Sequence, residues 1–285
     1  MSVGTGVGID RRGTVTTRKK PGRPSRPKLG ALRTGRRAQL ILITRVAVVL
    51  AILGLWQFLS GRVIEAYLIS NPIDVAKKLV VILGDGARHH DIMVTGKELI
   101  AGWTIGAVTG AVVGWAFGAV KFLGEVMEPI VNAINGIPKV SLAPMFLLWF
   151  GLGMGSKIAI ASMIVFFLVF YNVFAGMRSV PQALVDVAKV MGASRWFVIR
   201  KVVAPSVAVP LFAALKAGVP LAMIGVIAGE YVSAQEGLGF YTMTATQQFD
   251  PAGLFAAVMI IVAMVVVGCA IIGFFERRAL AWQRD

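Results

Sequence analysis

The 285-residue chain has little of what most enzyme sites need. It contains one cysteine, Cys269, and two histidines, His89 and His90. A single cysteine excludes an intramolecular disulfide and a cysteine-based metal site, and two adjacent histidines leave little material for histidine-dependent catalysis. Charged residues make up only 15% of the chain, against roughly 25% in ordinary soluble domains. This composition does not favour a soluble enzyme.

Acidic residues are also scarce, with 14 Asp and Glu against 29 Lys and Arg, which gives a net charge of +15. Twelve basic residues and one acidic residue fall in the first 45, a net +11, and the rest of the chain carries +4. Residues 1–37 also hold three prolines among many glycines, serines and threonines, a composition typical of disorder. We predict a disordered basic tail over residues 1–37 and a membrane domain over residues 38–285.

Long apolar runs dominate the remaining chain. A helix needs about 20 apolar residues to cross a bilayer. The runs close to this length or longer are 39–60, 99–120, 123–151, 158–176, 205–229 and 254–275. Prolines interrupt the third and fifth runs. The sequence therefore predicts an all-α integral membrane protein with about six transmembrane helices, the third of them broken.

The charges between these runs orient the chain. Segment 178–201 carries five basic residues against one acidic residue, whereas segment 61–96 carries equal numbers of basic and acidic residues. Lys97 lies just beyond this second segment. The positive-inside rule then places segment 178–201 and both termini in the cytoplasm. We expect the basic tail to interact with anionic lipid of the bilayer rather than with nucleic acid.

Five glycines recur at every fourth position of the second run, at Gly102, Gly106, Gly110, Gly114 and Gly118. This spacing puts them on one face of a helix, where small residues let another helix approach closely. Two interpretations stay open: packing against a helix of the same chain, or contact with a partner subunit.

An amphipathic segment lies between the fourth and fifth runs. Apolar residues at helical spacing form a stripe there: Leu184, Val187, Ala188 and Met191. Pro181 is suited to begin this short helix, and Gly192 is suited to end it. Such a helix fits either the membrane interface or a groove on a partner protein.

Segment 186–205 resembles the EAA-type loop of permease subunits of binding-protein-dependent ABC importers. That pattern reads Glu-Ala-Ala, three residues, Gly, nine residues, Ile, any residue, Leu, Pro. Here Asp186-Val187-Ala188 stands at its start, Gly192 follows after three residues, and Pro205 closes it. Stretches 71–75, 136–153 and 229–240 resemble the nitrate, sulfonate, taurine and bicarbonate group of these permeases.

The resemblance implies a cytoplasmic coupling helix between the fourth and fifth spans. It implies a homodimer in a bacterial inner membrane, with two cytoplasmic ATPase subunits and an external substrate-binding protein. The chain has no phosphate-binding Gly-x-x-x-x-Gly-Lys-Ser/Thr loop, so we expect the partner ATPase to bind ATP and magnesium, and no catalytic residue or cofactor here. The residues expected to couple to the ATPase are Asp186, Val187, Ala188, Met191, Gly192, Ala193, Arg195 and Pro205.

Ionisable residues inside apolar runs are costly and mark candidate transport pathways. Lys139 and Lys216 lie in the third and fifth runs, and Glu230 lies at the end of the fifth. Two cations near a pore suit an anionic solute such as a sulfonate, nitrate or bicarbonate. A permease for a different small organic solute is the alternative.

Two other function classes stay open. A membrane-anchored polyanion-binding protein would use the basic tail. An intramembrane enzyme would need a metal held by His89 and His90 with Asp85 and Asp91, and we expect no metal site.

Overall fold

The computed structural model describes residues 8–9, 15–16, 30–233 and 235–281. The chain divides into two units, residues 1–54 and 55–285. In the first unit, strands β1 (Gly8–Ile9) and β2 (Val15–Thr16) pair antiparallel, with Gly8 opposite Thr16. Most of the predicted disordered tail lies outside the described residues.

Helix α1 (Gly30–Leu59) begins inside the tail that the sequence predicts, ahead of the boundary at residue 38. The prolines of the tail end at Pro27, and residues 31–38 are mostly alanine, leucine and arginine, which favour helix. The boundary between a tail over residues 1–37 and a membrane domain over residues 38–285 stays a prediction, with residues 30–37 part of α1.

The described residues of the second unit are mainly helical. The helices are α2 (Ala66–Ile69), α3 (Pro72–Gly84), α4 (Gly86–Ala119), α5 (Lys121–Asn135), α6 (Ala143–Phe150), α7 (Met154–Arg178), α8 (Gln182–Val190), α9 (Arg195–Val198), α10 (Ala204–Ser233), α11 (Leu238–Gln247) and α12 (Pro251–Ala279). A 3-10 turn (Lys139–Leu142) precedes α6, and a π-helical turn (Ile199–Val203) joins α9 to α10.

Five helical segments of the described chain are long and apolar enough to cross a membrane. They are Gln39–Leu59 in α1, α4, α7, Arg195–Val232 and α12. Phe122–Asn135 and Lys139–Phe150 form a pair bent by 78°, which makes a sixth span if it is counted as one. The bend falls at Pro138, which has no backbone N–H to continue a helix. The prediction of an all-α membrane protein with about six spans is confirmed, and the third apolar run forms the bent pair.

Helix α7 forms the centre of the bundle because α4 and α10 both pack closely against it. The glycine stripe of α4 faces α7, and a Cβ atom at Gly110 would lie 2.6 Å from the carbonyl oxygen of Phe166. On α10, a Cβ atom at Gly225 would lie 2.9 Å from the Cα atom of Ala161. The stripe therefore serves packing within one subunit, the first of the two interpretations.

A second apolar cluster joins α3, α11 and α12. Val75 and Ile82 of α3 pack with Leu238 of α11 and with Ala256 and Ile260 of α12. This cluster fixes the two short helices α3 and α11 beside the last span. Large apolar side chains are exposed along most of the spans, as expected for surfaces that face lipid or other subunits.

Candidate functional site

A short exposed helix, α8, connects the fourth and fifth spans. It begins after Pro181, whose backbone is extended. It ends at Val190, and Gly192 follows the C-cap with a φ of +81°, the left-handed conformation that glycine adopts without strain. The amide of Ala193 then donates to the carbonyl oxygen of Ala188 (2.9 Å), which caps the end of the helix. The predicted start and end of this helix are confirmed.

No residue of α8 is buried. Val187 is 58% exposed and Met191 is 81% exposed, although both are apolar. A concave surface runs from α8 into α9, and we call it the α8 groove. Its lining residues are Leu184, Val187, Ala188, Met191, Gly192, Ala193, Ser194 and Phe197. Because a contiguous apolar surface of this kind marks an interaction site, the α8 groove is a candidate docking surface.

Five of the eight predicted coupling residues line the α8 groove: Val187, Ala188, Met191, Gly192 and Ala193. The other three are not part of this lining. Asp186 is exposed, with its Oδ1 atom 3.8 Å from Nζ of Lys189, and Arg195 is exposed at the start of α9. Pro205 is half-buried in the first turn of α10. The structure thus gives the groove an apolar floor and a charged edge.

The α8 groove leads into the fifth span without a loop. The side chain of Ser194 accepts a hydrogen bond from the amide of Phe197 (3.2 Å) and so caps α9. From there α9, the π-helical turn and α10 follow one another, and the span Arg195–Val232 contains 38 residues. At the α-helical rise this is roughly 57 Å of helical path. One continuous helical path therefore links the groove to the far end of the fifth span.

The two lysines predicted to line a pathway have different partners. Nζ of Lys139 donates to the backbone and side-chain oxygens of Asn135, each at 3.1 Å, and lies 5.2 Å from the centre of the Phe167 ring. Nζ of Lys216 lies 3.7 Å from Oε2 of Glu276 on α12, and its side chain is 51% exposed. Both cations thus keep access to a surface of the subunit.

Glu230, the third predicted pathway residue, is in a different environment, since it is fully buried. Its Oε1 atom accepts a hydrogen bond from the hydroxyl of Thr95 (2.6 Å), and its Oε2 atom accepts one from the amide of Gly239. The structure does not place Glu230 on an exposed surface. It joins the end of α10 to α4 and to the start of α11.

Two further buried ionisable residues belong to this part of the bundle. Glu98 of α4 is fully buried and Lys157 of α7 is 3% exposed, with Nζ of Lys157 4.0 Å from Oε1 of Glu98. Nζ of Lys157 also donates to the carbonyl oxygen of Leu152 (3.0 Å). Lys157 is not among the pathway residues predicted from the sequence, although a lysine within an apolar helix is the kind of residue that marks a polar site.

A polar cleft of about 280 Å³ lies between α3, α4, α11 and the start of α12. Lys78 and Asp250 form an ion pair across it, with 2.6 Å between Nζ and Oδ2. This hydrogen bond raises the pKa of Lys78 above its ordinary value. Burial alone would raise the pKa of Asp250, but the hydrogen bonds from Lys78 and from the amide of Gly253 lower it below its usual range.

Arg88 provides the other cation of the polar cleft. Its guanidinium lies 4.6 Å from the centre of the Tyr241 ring, and its Nη1 donates to Oδ2 of Asp91 (3.0 Å). Because both cations of the cleft are paired with carboxylates, the cleft does not have the excess of positive charge that an anion site needs.

The two histidines have separate partners. The ring of His89 bonds to the carbonyl oxygen of Leu83 (2.7 Å), and the ring of His90 bonds to Oε2 of Glu236 (2.9 Å). In the described part of the chain, no three His, Cys, Asp or Glu side chains are grouped so that they would hold a metal. The described residues therefore give no support to the hypothesis of an intramembrane enzyme with a metal held by His89 and His90.

These features define a multi-pass membrane protein whose spans pack through glycines and whose fourth and fifth spans are joined by an exposed helix. The family model described as "binding-protein-dependent transport system inner membrane component" matches residues 105–280. The chain belongs to this family, and it is a permease subunit of an ABC importer. The resemblance seen in the sequence is confirmed.

Individual relatives agree with this assignment. The chain is 29% identical over 225 residues to the riboflavin transport system permease protein RibX of Chloroflexus aurantiacus, covering 79% of this chain and 83% of that protein. It is 26% identical over 269 residues to SsuC, a protein assigned to aliphatic sulfonates transport in Bacillus subtilis, covering 94% of this chain and 92% of that protein.

A solved structure supports the fold. A chain of the inward-facing MetNI methionine ABC transporter matches with a TM-score of 0.52 at 20% identity. The match covers 65% of this chain and 92% of that chain.

Proposed function

We propose that the α8 groove is where a cytoplasmic ATPase docks on this permease. One observation carries the proposal: an exposed apolar surface lies on the helix between the fourth and fifth spans and continues into the fifth. Docking of a short helix through its apolar face is a common mode of recognition. The exposed cations Lys189 and Arg195 at its edge favour an acidic partner surface and would fix the orientation of docking.

The assembly that we propose has two copies of this chain, two ATPase subunits and an external substrate-binding protein. The partner ATPase binds ATP and magnesium, because this sequence has no phosphate-binding loop. The basic segments support a location in a bacterial inner membrane with both termini in the cytoplasm. In this orientation the α8 groove faces the ATPase side.

We propose that the solute is small and anionic, such as a sulfonate, nitrate or bicarbonate. The half-buried Lys139 and the exposed Lys216 support this choice, and so does the similarity to SsuC. The similarity to RibX supports the alternative, a different small organic solute. Screening the cognate binding protein against a sulfonate, nitrate, bicarbonate and riboflavin separates the two, since binding of riboflavin alone would contradict an anionic solute.

Docking is tested by adding one negative charge to the groove. Val187→Glu places a carboxylate on its apolar floor, whereas Gln182→Glu places the same charge on another face of α8 and serves as the matched control. We expect Val187→Glu to reduce co-purification of the co-expressed ATPase subunit at least tenfold, because an unpaired carboxylate in an apolar interface is costly. Gln182→Glu should stay within twofold of wild type.

The opposite result would overturn the docking site. If Val187→Glu inserts in the membrane and co-purifies the ATPase at the wild-type level, the α8 groove is not the contact.

A further inference from the structure

We propose that Glu230 is a positioning residue that ties the N-terminus of α11 to the end of the fifth span, so that a movement of α10 is passed on to α11. This rests on the proposed function in one respect, that the movement begins at the α8 groove. The role differs from contact with the solute, which the position of Glu230 in an apolar run had suggested.

The first amides of α11 are capped by side chains of other helices. Gly237 at the N-cap has no side chain with which to cap the helix. Its own amide donates to Oδ1 of Asp91 (2.9 Å), and the amide of Leu238 donates to Oγ1 of Thr95 (2.8 Å). The amide of Gly239 donates to Oε2 of Glu230. The start of α11 is therefore held by α4 and α10.

The carboxyl group of Glu230 gives the start of α11 a hydrogen-bond acceptor from another helix. It accepts from the hydroxyl of Thr95 and from the amide of Gly239, and the carboxyl group of Glu98 lies beside it. The N-terminus of a helix carries partial positive charge and stabilises an anion. If α11 moved away, the carboxyl group would stay buried with one hydrogen-bond partner lost, which is costly. The end of α10 and the start of α11 are therefore expected to move together.

The backbone around the carboxylate is built from glycines for a steric reason. A Cβ atom at Gly239 would lie 2.6 Å from Oε2 of Glu230. At Gly237 a Cβ atom would also meet this carboxylate, and the φ of +103° there is strained for other residues. The sequence Gly237-Leu238-Gly239 thus allows the carboxylate to approach the helix end.

The attachment completes a path through the subunit. The helical segment that starts at Arg195 beside the α8 groove ends near Glu230. On the other side of the attachment, Phe240 and Tyr241 of α11 line the polar cleft. A displacement of the groove can therefore reach the cleft through α10, Glu230 and α11.

The experiment compares two conservative variants with two controls in the full complex of permease, ATPase and binding protein. Glu230→Gln replaces the carboxyl group by an amide, and Thr95→Val removes the hydroxyl with little change in shape. Thr95→Ser keeps the hydroxyl. Ser156→Ala removes an equally buried hydroxyl, which donates to the carbonyl oxygen of Gly153 (3.1 Å) and not to a group at α11. The measurements are amide hydrogen exchange over residues 235–247, co-purification of the ATPase, and solute transported per ATP hydrolysed.

We expect Glu230→Gln and Thr95→Val to speed exchange of the Leu238 and Gly239 amides by about tenfold or more, because hydrogen bonds to buried groups are lost. Both variants should transport less solute per ATP while the ATPase co-purifies as in wild type. Thr95→Ser should restore both properties, and Ser156→Ala should leave the exchange of these amides unchanged.

Three results would overturn the proposal. In the first, Glu230→Gln raises the solute KM without faster amide exchange, which would make Glu230 a solute contact. In the second, the amides exchange faster while transport per ATP is unchanged, which would show that Glu230 caps α11 but does not pass the movement of α10 on to it. In the third, exchange is unchanged in both variants. Failure of the docking proposal is separate, because it appears as normal co-purification of the ATPase with Val187→Glu.

Discussion

Substitution of one glycine of the α4 stripe tests how closely the central helices are packed. In Gly110→Ala, the new Cβ atom would lie 2.6 Å from the carbonyl oxygen of Phe166 and 3.1 Å from the amide nitrogen of Phe170. A favourable carbon–oxygen contact is about 3.3 Å, so α4 and α7 must separate by roughly 0.7 Å at this point. Overpacking of this kind typically costs ~1–3 kcal/mol, and we expect a loss of free energy of unfolding in that range.

A glycine of the same helix provides the control. In Gly96→Ala, the Cβ atom would meet the terminal methyl carbon of Met264 at 3.4 Å, and a methionine side chain adapts readily. We expect Gly96→Ala to be neutral or to stabilise by up to ~1 kcal/mol, as alanine favours helix over glycine. Equilibrium unfolding in mixed micelles, followed by tryptophan fluorescence, measures both variants. Equal stability of Gly110→Ala and Gly96→Ala would refute the close packing.

The polar cleft and the end of α8 supply the remaining predictions. The pKa of Asp250 is lowered in the fold. Its pairing with Lys78 therefore stabilises the folded protein at pH values above the ordinary carboxylate pKa, and this stabilisation is lost as the pH falls through the lowered pKa. Asp250→Asn should therefore lose up to ~1 kcal/mol of free energy of unfolding at neutral pH. In thermal unfolding below about pH 4, its stability should depend less on pH than that of wild type. An unchanged dependence on pH in this acid range would contradict the prediction. Gly192→Ala should lose ~1–2 kcal/mol of free energy of unfolding, because alanine is strained in the left-handed conformation. Gly192→Asn should lose less free energy of unfolding. Equal stability of the two Gly192 variants in the same unfolding assay would show that strain at this position is not the cause.

Much of the architecture was predictable because a membrane imposes a simple rule. A span must be apolar over about 20 residues and satisfy its backbone hydrogen bonds internally, so runs of apolar residues indicate helices directly. The exposed helix α8 was also predictable, since Pro181 and Gly192 act within a few residues of their own positions. The predicted boundaries of the helices were less accurate. Helix α4 begins at Gly86 rather than near residue 99, because the polar residues of its first turns do not resemble a membrane span.

The sequence by itself determined the class of protein, the bend in the third apolar run and the helix between the fourth and fifth spans, all of which depend on local composition and spacing. Only the tertiary structure decided which helix the glycine stripe faces and what surrounds Glu230. Thr95 and Glu230 are 135 residues apart, and no local pattern connects them. Their contact arises because α4 and α10 both pack on α7, and this packing brings a buried carboxylate to the start of α11.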